Sequence, residues 1–78
     1  MQVKVRRLPP ESIHDGQKWL VIEGYIDGVP AVTKRDAINV AALASGDIVL
    51  ADRVAKMRAD VEEYYNRWLA LADLPEEL

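Results

Sequence analysis

Ser12, His14 and Asp15 supply the residue types of a nucleophile, a base and an orienting acid within one short stretch. A catalytic triad is defined by geometry, not by adjacency along the chain. Crowded just before Gly16, these side chains have the chemistry of a turn, where short polar groups bond nearby backbone and glycine accepts positive φ. Glu62–Glu63 and Glu76–Glu77 are paired carboxylates. Acid–base catalysis needs a pocket that pushes two pKa values apart, and an exposed helix face or a tail offers none. His14 is the single histidine and cysteine is absent, so neither a zinc site nor a disulfide can be assembled. The four glycines are scattered, without the spacing of a phosphate loop. A hard-cation site would need more converging oxygens than the sequence brings together. The expectation is a chain with no catalytic residues, no metal and no cofactor, and therefore not an enzyme.

The remaining chemistry is charge. Net charge is −3, but residues 1–35 carry six cations against four acids, and residues 36–78 carry four against nine. Such asymmetry points to a charged partner or to attraction between the two halves. Lys34-Arg35 is the most pointed feature. If a helix begins at Thr33, two cations occupy a first turn where the dipole favours acids. An anion bound at the free amides would account for them, with Lys4, Arg6 and Arg7 completing a patch. Outward snorkelling, or pairing with the acidic helix, accounts for them as well.

These groups need elements to hold them. Residues 2–8 alternate Val3 and Val5 with Lys4 and Arg6, the pattern of a half-buried strand, and Pro9-Pro10 end it. Residues 18–26, Lys-Trp-Leu-Val-Ile-Glu-Gly-Tyr-Ile, are aromatic and β-branched on both faces and predict a central strand. Gly24 marks a bulge or a close contact. Asp27-Gly28 predicts a type I′ hairpin, with residues 29–32 as the return strand and Pro30 placing it at an edge. Thr33 to Asp36 then fits a capping box opening a helix through Leu43, closed by Ser45-Gly46. Residues 47–50 read either as a short strand or as the cap of the next helix, with Asp47 as the capping residue.

From Leu50 the apolar positions Leu50, Val54, Met57, Val61, Tyr64, Trp68 and Leu71 recur at steps of four and three. Asp52–Lys56 and Glu63–Arg67 stand four apart with the acid first, the favourable order. Ala42, Gly46 and Ile48 have a spacing that resembles part of the DNA-binding helix-turn-helix motif, over about 20 residues. The likeness breaks at Asp52, where an apolar residue is due. Asp60, Glu62 and Glu63 follow on what would be the helix that reads bases, which needs Arg, Lys, Asn or Gln.

The elements sum to one α+β domain over residues 1–72, a three-stranded antiparallel meander followed by two helices, and an acidic tail over 73–78. The chain has 78 residues, and a domain near this size buries only about 60% of its unfolded surface. Tyr65 and Leu69 widen the stripe around Tyr64 and Trp68 beyond what one small core absorbs, and Tyr and Trp are enriched at binding hot spots. The expected function is therefore protein–protein interaction through Tyr64, Tyr65, Trp68 and Leu69, with a second copy or another protein. A short, acidic, cysteine-free chain has the general character of phage and mobile-element accessory proteins, either inhibitors or assembly subunits. Two alternatives stand beside this. One is a nucleic-acid regulator using Lys4, Arg6, Arg7, Lys34 and Arg35. The other is an acidic nucleic-acid mimic using Asp60, Glu62 and Glu63. No stretch has the ~20 apolar residues of a membrane span. The basic start meets prolines in place of a leader's apolar run. Both features, with the lack of cysteine, predict a cytoplasmic protein.

Overall fold

A computed structural model describes residues 2–9 and 18–78. The Ser12, His14 and Asp15 stretch, with the turn expected at 14–17, lies outside the described residues. The element order is β1 (Lys4–Arg7), β2 (Trp19–Tyr25), β3 (Thr33–Asn39), α1 (Val40–Ser45) and α2 (Leu50–Leu71). The strands form one antiparallel sheet in the order β1-β2-β3, so the β-branched run of β2 is central. The fold is the expected α+β meander with two following helices, the second long.

Several local expectations are corrected. The Asp27-Gly28 hairpin is not a two-residue type I′ turn. That turn needs positive φ at both central residues, and only Gly28 has it, at 79°. Residues 26–32 form a longer connection, held by the bonds Val29 N–H to Ile26 O (3.1 Å) and Val32 N–H to Val29 O (3.1 Å). Val32 is fully buried and Ile26 nearly so. The connection therefore tucks under the sheet as part of the core, and Pro30 sits in a turn instead of a strand. The return strand is consequently β3, and Thr33-Lys34-Arg35-Asp36 opens no helix. The pairing of Ile38 with Leu20 and of Asp36 with Ile22 sets β3. Burial of Ile38, which has no exposed surface, outweighs the weak strand propensity of Lys, Arg, Asp and Ala.

The first helix therefore begins at Val40, capped by Asn39, whose Oδ1 accepts from the Ala42 N–H at 3.1 Å. Asn39→Ala is expected to cost about 1 kcal/mol, measurable as a lowered urea midpoint with unchanged slope. Gly46 ends α1 in the left-handed region, φ 84°, as its place after Ser45 predicts. Residues 47–49 are neither strand nor helix. Val49, not Asp47, occupies the cap of α2, and it makes no side-chain capping bond.

The core lies between the inner face of the sheet and α2. Val5, Leu20, Ile22, Ile26 and Ile38 meet Val54, Met57, Val61 and Tyr65 there. Gly24 is the point of closest approach. A Cβ at that position would stand 2.7 Å from both Met57 Cγ and Val61 Cγ2. The absent side chain is what lets helix and sheet close together, which is the close contact its sequence position suggested.

Candidate protein-interaction surface

A helix of 22 residues is about 33 Å long, whereas a seven-residue strand spans about 23 Å. The helix follows the direction of β2: Arg53 bonds Asp36, Met57 and Val61 cover Gly24, and Tyr64 lies under Lys34. Its last turns therefore run past the end of the sheet. Trp68 follows Met57 by eleven residues, about three turns, so it lies on the stripe that faces the core. It is nevertheless 37% exposed. Tyr64 (37%), Leu69 (41%) and Leu71 (63%) are exposed beside it. Tyr65 alone of the predicted group packs on the core, and it stacks on Trp68 with ring centroids 5.9 Å apart. The even alternation of four and three steps belongs to a 3.5-residue stripe. A straight helix drifts from that by about 20° per heptad, so Tyr65 takes the inward place that Tyr64 was expected to hold.

The overhang shapes the molecule. The radius of gyration is 15.3 Å and the longest dimension 51 Å, against a radius of about 11.5 Å for a compact chain of this length.

A trough runs between the free edge of β3 and α2. One part, of about 540 Å³, is lined by Lys34, Arg35, Asp36, Arg53, Lys56 and Asp60. The next, of about 310 Å³, shares Lys34 and Asp60 and adds Tyr64, Trp68 and Leu71. One end is thus charged with a cationic excess and the other apolar. Arg53 bonds Asp36 at 2.8 Å, and Lys56 bonds Asp60 at 3.0 Å rather than the expected Asp52. Glu63 and Arg67 form their expected pair at 2.5 Å. Lys34 has no carboxylate partner among the described residues; its ammonium lies 5.7 Å from the centre of the Tyr64 ring.

The five cations proposed as an anion patch do not form one surface. Strand alternation sends Lys4, Arg6 and Arg35 to the outer face and Arg7 and Lys34 to the side of α2. The helix-start argument for Lys34 and Arg35 lapses because both lie on a strand. Nor do the outer cations pair with the acidic helix. Lys4 bonds Asp27, and that hydrogen bond followed by the charge raises its pKa. Arg6 and Arg35 reach from opposite edges to Glu23 on the central strand. Arg6 donates from Nε and Nη2 to Oε1, and Arg35 from Nε to Oε2 at 2.9 Å. Glu23 is 3% exposed though it faces away from the helix. The Arg6 guanidinium also covers the Tyr25 ring at 4.7 Å.

Sequence reasoning missed this clamp. Its one signal is a lone carboxylate in an apolar strand, and its partners become visible only once the register sets Arg6 and Arg35 opposite it. The bonds from Arg35 and then Arg6 hold the Glu23 pKa below its ordinary value of 4.5. A carboxylate lowered on folding adds stability that is complete above its unfolded value and disappears as pH falls through the folded value. Wild type is therefore expected to lose stability relative to Glu23→Gln below about pH 4.5. Above that range the variant is expected to be weaker by roughly 1–3 kcal/mol. Urea midpoints across acid pH check both.

Among the described residues no cluster of His, Cys, Asp and Glu could hold a metal, and no helix is long and apolar enough to cross a membrane. No family model matches the chain, nor does any curated protein or solved structure.

Proposed function

We propose that the chain is a small non-enzymatic protein-interaction module that associates with a second copy of itself through the overhanging end of α2. The observation that carries this is a core-facing stripe that outruns its core: Trp68 is on the side that Met57 and Val61 bury, yet stays 37% exposed beside Tyr64 and Leu71. Aromatic side chains bury 150–250 Å² each. Tyr64 and Trp68 are each 37% exposed, so with the flanking leucines they supply the apolar centre, and not the whole, of an interface of about 800 Å² per partner. A second copy suits the surface because the domain's own core is thin, with only seven buried apolar residues among those described. Small scaffolds commonly make up such a deficit by oligomerising.

Size-exclusion chromatography with light scattering, at low and high salt, tests this. A mass of twice 8.8 kDa at both salts is expected, since an apolar contact is little screened. A mass of one chain at every concentration overturns it.

A further inference from the structure

The trough has the form of a strand-addition site. The bond from Val40 N–H to Lys18 O, at 2.8 Å, sets the phase of the β2–β3 ladder. Even-numbered residues of β3 bond β2, and Thr33, Arg35 and Ala37 turn N–H and C=O away from it. No backbone bond among the described residues takes those groups. Free edges are commonly blunted by charge. Here Lys34, which has no carboxylate partner among the described residues, discourages an apolar strand and favours an acidic one. Peptides captured by strand addition gain affinity from main-chain bonds and specificity from side-chain pockets, and α2 supplies the second wall.

We infer that this edge receives residues 75–78 of the second copy, added as a short fourth strand parallel to β3. The inference rests on the self-association proposed above and names where each tail goes. Three observations support it. The amides of Ala72, Asp73 and Leu74 close α2 on the carbonyls of Leu69, Ala70 and Leu71, so the chain is released from the helix from Pro75 on. Its order also matches the trough. The partner's α2 would end at the apolar end, among Tyr64, Trp68 and Leu71. Leu74 would come to lie there, and Glu76 and Glu77 would reach the cationic end. Finally, the tail does not occupy its own trough: every residue from 72 to 78 is exposed, Leu78 at 96%. Pro75 lacks an N–H and must face away from β3, as prolines in edge strands do.

Amide hydrogen exchange on the protein, read alongside its mass, tests this. In the dimer, the Arg35 and Ala37 amides are expected to exchange more slowly by an order of magnitude or more than in the Glu76→Lys/Glu77→Lys variant. That variant should dimerise roughly tenfold more weakly, and adding Lys34→Glu should recover part of the loss. A dimer whose Arg35 and Ala37 amides exchange freely overturns strand addition and leaves the α2 contact standing. A monomer with those amides protected puts the tail on its own chain and overturns the exchange between copies. A monomer with free amides overturns both proposals.

Discussion

Alanine at position 24 is expected to destabilise the domain by roughly 1–3 kcal/mol, the usual cost of overpacking a filled core, and valine by more. Gly24 does not owe its place to backbone freedom, since among the described residues positive φ occurs only at Gly28 and Gly46. Its role is steric. The added methyl would meet Val61 Cγ2 and Met57 Cγ at 2.7 Å and Met57 Sδ at 2.9 Å. Met57 can change rotamer. Val61 cannot readily do so, because a β-branched residue in a helix has one strongly preferred χ1 and this one is wholly buried. The helix must therefore lift from the strand or Val61 must strain. Val61→Ala is costly alone, as removal of buried methyls is, but in the Gly24→Ala background it relieves the clash. The two substitutions are thus expected to be less than additive. Urea unfolding of the two single variants and the double one checks this.

The second large effect is on association. Tyr64→Ser with Trp68→Ser is expected to weaken self-association by roughly a hundredfold or more, since each aromatic hot spot contributes about 2 kcal/mol or more. Folding should survive, because neither side chain belongs to the buried cluster, which is closed by Tyr65, Val61 and Val32. A monomeric variant with unchanged far-ultraviolet circular dichroism and a preserved cooperative transition is the predicted result. Tyr65→Ser should behave differently and lower stability directly, because Tyr65 packs on the core.

What was legible in the sequence follows from which interactions are local. β2 declared itself because Trp19, Val21, Ile22 and Tyr25 favour strand wherever they pair. α2 declared itself because an apolar repeat over about six helical turns has few other interpretations. β3 did not. Thr33 to Ala37 carry helix-tolerant residues, and their conformation is set by pairing with residues 21–25 and by burial of Ile38. A capping pattern was visible at Thr33, and the real cap lies six residues later at Asn39. The same non-locality hid the Glu23 clamp, whose three members are separated by 17 and 12 residues. For the proposed interaction surface, the stripe named Tyr64 and Trp68, with Leu69 widening it, and all three are exposed. It could not show where the sheet stops, and so it grouped Tyr65, which serves the core, with residues that do not.

Self-association through the end of α2 is tested most directly by isotope-filtered nuclear Overhauser spectroscopy on a mixture of labelled and unlabelled protein. The account predicts cross-peaks between the Trp68 indole of one copy and the Tyr64, Leu69 or Leu71 side chains of the other. A spectrum without intermolecular cross-peaks to Trp68, at a concentration where two chains would associate, would contradict it.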